Sequence, residues 1–241
     1  MISVIIPTMW AYEPFLNFLE NILELNCVGE VIIINNLVSD TPNHLALNHP
    51  KVKMHNMHQN IYVNPAWNLG AQLSQYDTLC FLSDDVLVDL KVFQEANKFV
   101  TNQIGVLGFG YHPAMFTLHS QKIINQNEVE HYIVTGDIQI KETSENGFVH
   151  KTGYGALFFL HKQNYVPIPK EFLISGGDNW LYECQTILGR INYYINNCFF
   201  YTPWSVTATS SKFDGTLGDF SKENRETFVS KIEEFKRLNG K

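Results

Sequence analysis

The chain has 241 residues, of which 45% are hydrophobic and 17% charged, and its formal net charge is -7. That length suits one large core. The negative balance, with no cluster of Lys or Arg, sets aside a nucleic-acid partner gathered by a basic field, although a small phosphorylated ligand stays compatible if a divalent metal accompanies it. Cys27, Cys80, Cys184 and Cys198 are scattered without CxxC spacing and the histidines without HExxH spacing, so reduced thiols are expected and a zinc centre is not.

Ser3 to Pro7 is a continuous β-branched run closed by proline, a pattern that suits a strand buried on both faces of a parallel sheet. From Glu13 to Asn26, Phe15, Phe18, Leu19, Ile22 and Leu25 recur at helical spacing. A second strand is predicted over Glu30 to Asn36, which completes a right-handed βαβ unit. Val52 to Met57 reads as a weaker strand. Asn64-Pro65 reads as a cap and first residue of a helix carrying Ala66, Trp67, Leu69 and Leu73.

Thr78 to Leu82 is a fourth strand and runs directly into Ser83-Asp84-Asp85, which places the acids at a strand's carboxyl end, where open α/β sheets bind ligands. A helix is predicted over about residues 90 to 100. Strands are predicted over Ile104 to Gly108, Leu157 to Leu160 and Tyr193 to Tyr201. A helix over Asp178 to Leu188 is stopped by Gly189, and an amphipathic helix over Lys222 to Leu238 carries Phe228, Ile232 and Phe235 on one stripe. Thr207 to Asp219, rich in Ser, Thr and Gly, has the composition of a lid loop. Met1 leads straight into the first strand without the basic start of a secretory leader, and no apolar run reaches bilayer length, so a cytoplasmic chain without a transmembrane segment is expected.

Two adjacent carboxylates at the end of an apolar strand are costly unless something positive joins them. Either a hard divalent cation does so, bridging to a phosphorylated ligand, or one Asp caps the helix beginning near Asp89 and the other is solvated.

Taken in order, Ser3-Val4-Ile5-Ile6-Pro7-Thr8, Val31 to Asn36, Ala66-Trp67-Asn68-Leu69-Gly70, Phe81-Leu82-Ser83-Asp84-Asp85 and Gly176-Gly177-Asp178-Asn179 resemble the GT-A glycosyltransferases of the family 2 type over roughly residues 2 to 210. The resemblance implies a Rossmann-like α/β fold with a mixed, mostly parallel sheet flanked by helices in a single domain. Residues 1–105 would form the nucleotide-sugar half, 106–212 the acceptor and catalytic half, and 213–241 a closing loop and helix. The implied activity is transfer of a sugar from a nucleoside-diphosphate sugar, UDP-sugars first, to a glycan or other hydroxyl acceptor, with inversion and with manganese or magnesium as cofactor.

Carried over by position, Pro7, Thr8, Asn36, Asn68 and Asp84 would line the donor site, Asp85 with Asp84 would hold the metal, and Asp178 would be the general base. Asn36 stands where the family has an acid that reads the base edge, and Asn35-Asn36 reads equally well as a turn with left-handed geometry. Asp178 reads alternatively as a helix cap, a role also open to Ser175.

The sequence departs from the family pattern at three places. Trp67 replaces an Arg, Ser83 replaces a first acid, and the stretch Val206 to Lys212 lacks a late His and offers Lys212 as a diphosphate contact. Trp180, Tyr154, Trp204 and Tyr111 are candidates for stacking on an acceptor sugar. A nucleotidyltransferase would bring a Gly-rich basic loop where Met9-Trp10-Ala11-Tyr12 stands. A catalytically silent sugar- or nucleotide-binding module would account for the three departures but not for intact Asp85 and Asp178.

Overall fold

The computed structural model of the chain describes residues 1–109, 137–143, 154–196, 198, 200–202 and 217–241. The strands are β1 (Ile2–Thr8), β2 (Val28–Asn35), β3 (Val52–Asn56), β4 (Thr78–Leu82), β5 (Leu87–Val88), β6 (Leu107–Phe109), β7 (Gln139–Glu142), β8 (Leu157–His161), β9 (Tyr193–Asn196) and β10 (Phe200–Tyr201). The helices are α1 (Pro14–Leu23), α2 (Val63–Leu73), α3 (Lys91–Phe99), α4 (Gly177–Ile187) and α5 (Leu217–Leu238).

An eight-stranded sheet runs in the order β3-β2-β1-β4-β8-β6-β9-β7, beside a two-stranded sheet of β10 and β5. The pairs β1–β2, β2–β3, β1–β4 and β6–β9 are parallel, whereas β8 lies antiparallel between β4 and β6, and β7 closes the edge antiparallel to β9. Every residue of β1 is buried, as its unbroken apolar run requires of a strand with a neighbour on each side and helices on both faces.

Strand alternation divides the core. Val4, Ile6, Val31 and Ile33 pack with Phe15, Leu19 and Ile22 of α1 and with Val92 and Phe93 of α3. Ile5, Ile32, Leu79 and Phe81 face the other way and pack with Ala66 and Trp67 of α2 and with Trp180 and Leu181 of α4. Phe81 stacks on Phe158 at 4.6 Å, and Trp67 meets both rings edge-on at 5.8 and 5.1 Å. Burying each such ring contributes about 2–3 kcal/mol.

Several boundaries differ from the expectations. The helix expected to begin at Asn64-Pro65 begins at Val63, after Tyr62 at φ 65, and Asn64 lies inside it. Its amide N–H donates to Leu173 O at 3.1 Å, so a tertiary contact replaces the expected cap. The single strand expected over Tyr193 to Tyr201 is two, one in each sheet, because β10 pairs with β5 instead of extending β9. Polar β7 was not anticipated; mostly exposed at a sheet edge, it needs no apolar pattern.

Gly189 stops α4 as expected, at φ 78, with its N–H on Thr186 O and that of Arg190 on Gln185 O. The amphipathic tail docks as its stripe predicts, with Phe228 on Phe172, Phe235 on Trp180, and Ile232 only 7% exposed. Of the segment with lid composition, residues 207–216 lie outside the described residues, and Leu217–Asp219 open α5. All four cysteines are free. Among the described residues no helix is long and apolar enough to cross a membrane.

Candidate active site

The chain leaves β1 for β2 and β3 on one side, then returns to place β4 on β1's other side. The strand order therefore reverses at β1, so the carboxyl ends of β1 and β4 form the switch point at which doubly wound sheets bind ligands. Thr8 ends β1 and Ser83-Asp84-Asp85 follows β4. Pro7 lies within buried β1, opposite Ile34.

Thr8 Oγ1 donates to Asp84 Oδ2 at 2.5 Å and accepts from Trp10 N at 2.9 Å, so one hydroxyl fixes both the acid and the loop that follows β1. Asp84 is 7% exposed. Burial pushes its carboxyl up to about 7; the Thr8 hydroxyl and the Met9 N–H oppose that rise and the Asp85 charge adds to it. Neither acid caps the following helix: its cap position is Leu90, with no side-chain cap bond, and Asp89 just before it accepts from Lys91 N on Oδ1 at 2.9 Å. Asp85 is partly buried, and its charge reaches the Tyr12 phenol, which burial, Tyr201 and Asp85 together keep protonated far above the ordinary tyrosine range.

The loop after β2 is knotted by Asn35 more than by Asn36. Asn35 Oδ1 accepts from Trp10 Nε1 at 2.8 Å and from Leu37 N at 3.1 Å, while its amide donates to Thr41 Oγ1 at 2.7 Å and to Asn56 Oδ1 at 2.8 Å. Asn36 Oδ1 accepts from Ile61 N at 3.1 Å. Neither Asn has the left-handed geometry of the alternative reading; that conformation belongs to Trp10, at φ 56, which both bonds hold in place. A left-handed non-glycine residue costs about 1–2 kcal/mol, so the loop's shape is imposed by its partners.

Asp178 lies in the first turn of α4, behind Gly176 at φ 84. Gly176 occupies the cap position and no side chain caps the helix, so the capping alternatives for Asp178 and Ser175 do not hold. A Cβ on Gly177 would sit 2.1 Å from Asn64 Oδ1, so only glycine lets α2 and the start of α4 approach this closely. Asp178 Oδ2 accepts from Gly155 N at 3.1 Å. Burial raises the Asp178 carboxyl above its ordinary value, against the pull of the Asn179, Gly155 and Asp178 N–H groups.

The turn Tyr154–Ala156 joins the two acidic elements. Ser83 Oγ donates to Gly155 O at 3.2 Å and Ser83 N to Ala156 O at 2.9 Å, while the Gly155 N–H faces Asp178. The buried Trp67 ring lies beside this turn: a Cβ on Gly155 would meet Asp178 Oδ2 at 3.4 Å and the Trp67 ring at 4.0 Å.

Two expected site residues do not join this group. Asn68 takes Tyr165 OH at 2.7 Å and Ile168 N at 2.8 Å on Oδ1 and donates to Ile168 O at 2.9 Å, so its side chain is spent anchoring the segment before α4. Trp180 is 5% exposed, donates to Pro167 O at 3.1 Å and packs on Phe172 and Phe235, a core position that no sugar reaches. Helical spacing could not tell a core Trp from a cleft Trp. Tyr111, Trp204 and Lys212, and the side chain of Tyr154, lie outside the described residues.

Sequence reading gave Asn35 only as part of a turn and Asn64 only as a helix cap, and missed Trp10, Tyr12 and Gly155. Only Gly155 left a signal, as the glycine heading an apolar strand.

The donor set fits a hard divalent cation. Asp84 and Asp85 offer only carboxylate oxygens, and burial has raised Asp84, to which no basic side chain bonds among the described residues, so a cation would displace its proton. Among the described residues no group of three or more His, Cys, Asp and Glu gathers as a ligand set.

No family model and no curated protein matches the sequence. Solved structures do: the chain has the GT-A glycosyltransferase fold. It superposes on residues 1–349 of S. aureus TarS with a TM-score of 0.58 at 15% identity, covering 83% of this chain and 60% of that one. TarS has been solved with UDP and with UDP-GlcNAc. The mannosyltransferase PcManGT of Pyrobaculum calidifontis, in complex with GDP-Man and Mn2+, matches with a TM-score of 0.53 at 13% identity over 79% of this chain and 53% of that one. GalNAc-T7 with UDP, GalNAc and Mn2+ matches with a TM-score of 0.53 at 11% identity over 84% of this chain and 43% of that one. The chain thus spans 60% of TarS 1–349, 37% of the longer TarS chain and 53% of PcManGT.

Proposed function

We infer that the protein is an inverting, metal-dependent glycosyltransferase that takes its sugar from a nucleoside diphosphate, UDP first. The observation that carries this reading is the convergence of two acidic elements from distant parts of the chain on one turn at the sheet's carboxyl edge: Ser83 and Asp178 bond opposite sides of the Gly155 backbone. Transfer to a hydroxyl needs both a place for the departing diphosphate and a base for the incoming alcohol.

In this reading the acceptor hydroxyl loses its proton to Asp178 as its oxygen bonds to the anomeric carbon, and the bond from that carbon to the diphosphate oxygen breaks on the opposite side. The raised carboxyl of Asp178 makes it a stronger base than an exposed aspartate, and the Gly155 N–H fixes the orientation of one oxygen. Asp85 and Asp84 would hold the cation, which would supply positive charge to the leaving diphosphate. Thr8 keeps the Asp84 carboxylate turned toward the end of β1. In this reading the loop after β2 would carry the base-reading group, although Asn36 Oδ1 is already taken by Ile61 N.

The test is a calorimetric and thermal-shift screen of UDP, GDP, CDP and dTDP with and without manganese, repeated on Asp85→Ala. Binding of UDP that requires both manganese and Asp85 is expected. No binding of any nucleotide by the parent protein would sink the reading.

A further inference from the structure

We propose that Ser83, which stands where the family pattern has its first acid, is a positioning residue that locks the turn bearing on Asp178 to the turn bearing the Asp84-Asp85 pair. The inference rests on the reading of Asp178 as the base for its catalytic meaning, but its geometry stands by itself. The Gly155 residue presents its two backbone groups to the two elements: its carbonyl accepts from Ser83 Oγ at 3.2 Å and its N–H donates to Asp178 Oδ2 at 3.1 Å. A second bond, from Ser83 N to Ala156 O at 2.9 Å, continues the β4–β8 ladder and keeps Ser83 beside the turn.

The residue type follows from donor and acceptor chemistry. A carbonyl accepts only, so its partner at position 83 must donate; a hydroxyl does so and an ionised carboxylate cannot. An aspartate at 83 would set acceptor against acceptor across the same gap and push the turn away. Serine is therefore not a weakened metal ligand but the group that makes the base and the metal-binding acids move as one body, and Thr keeps that capacity while Ala loses it. Placement errors of an ångström at a reacting group are enough to cost large factors in rate, so a tie of this kind has catalytic consequence.

The test uses the full chain as Ser83→Ala, Ser83→Thr, Ser83→Asp and Asp178→Asn, each checked by its melting curve, and reads the Gly155 amide by proton–nitrogen NMR together with UDP binding in manganese by calorimetry. A hydrogen bond to a carboxylate shifts an amide proton downfield. Ser83→Ala is expected to move the Gly155 signal upfield, as Asp178→Asn does, and to speed its hydrogen exchange about tenfold. UDP affinity should change little, and Ser83→Thr, which keeps the donating hydroxyl, should restore the signal. Ser83→Asp should displace it further than Ala does.

A Gly155 signal unmoved in Ser83→Ala, or restored by Ser83→Asp, would overturn the proposal, and so would a loss of UDP affinity that Thr does not repair. If Ser83→Ala fails to fold, the Thr and Asp variants decide by the same signal. Full transfer activity in Asp178→Asn would remove the base reading while leaving this amide readout, and the positional tie it reports, intact.

Discussion

The two edges of the sheet carry buried carboxylates under opposite rules. At the amino edge Glu30 accepts from Ser3 Oγ at 2.6 Å, Gln75 N at 2.6 Å and Lys53 Nζ at 2.5 Å, joining β1, β2, β3 and the approach to β4. Burial would raise its carboxyl, but those partners outweigh burial and hold it below its ordinary value. At the carboxyl edge, among the described residues, hydroxyl and amide groups rather than a cation bond Asp84 and Asp178, and burial wins. A satisfied charge stabilises the fold, whereas a carboxylate left short of positive charge is a site prepared for a metal or a proton.

Four outcomes would break or sharpen this contrast. The largest is Asp178→Asn, expected to lower transfer by about 10²–10⁴-fold in steady-state assays with the melting temperature held or raised, because the change removes a destabilised charge from the cleft. A variant at full activity would reduce Asp178 to a structural group.

The next concerns pH. The folded Asp84 carboxyl, at about 7, lies above its ordinary value of 3.8. Its contribution to stability is therefore complete below the ordinary value and lost as pH rises to about 7, by at most about 4 kcal/mol. Denaturant curves in chelator should fall across that window, and Asp84→Asn should flatten them.

Glu30 must behave in the reverse sense. Its folded value lies below the ordinary 4.5, so its contribution is present above that value and lost as pH falls through the folded one. Glu30→Gln should cost about 1–3 kcal/mol at neutral pH and remove part of the acid-side decline. Similar slopes at both edges would erase the distinction.

The smallest effect is expected at Gly177→Ala, where the new Cβ meets Asn64 Oδ1 at 2.1 Å. About 1–3 kcal/mol should be lost to overpacking. Asn64→Ala should return part of it in a double-mutant cycle, which would locate the strain between α2 and the Asp178 turn.

Sequence alone determined the parallel half of this molecule. Ser3 to Pro7, Thr78 to Leu82 and the helices after them were legible because a buried strand and an amphipathic helix each write their period into neighbouring residues. The acids at strand and helix ends were legible for the same reason, since position along an element fixes which end of the sheet a residue reaches.

What only the tertiary structure decided is which side chains meet. Asn68 and Trp180 carry the right residue types at the right spacing, yet bonds to Ile168 and Pro167 draw both away from the cleft. Asn35, Asn64 and Gly155 look ordinary in sequence and become joints because distant segments converge on them. Edge strand β7 and the splitting of β9 from β10 likewise depend on partners that local periodicity does not encode. Hydrophobic period is a property of neighbours in the chain; hydrogen-bond partnership and charge balance are properties of neighbours in space, and the candidate chemistry here rests on the second.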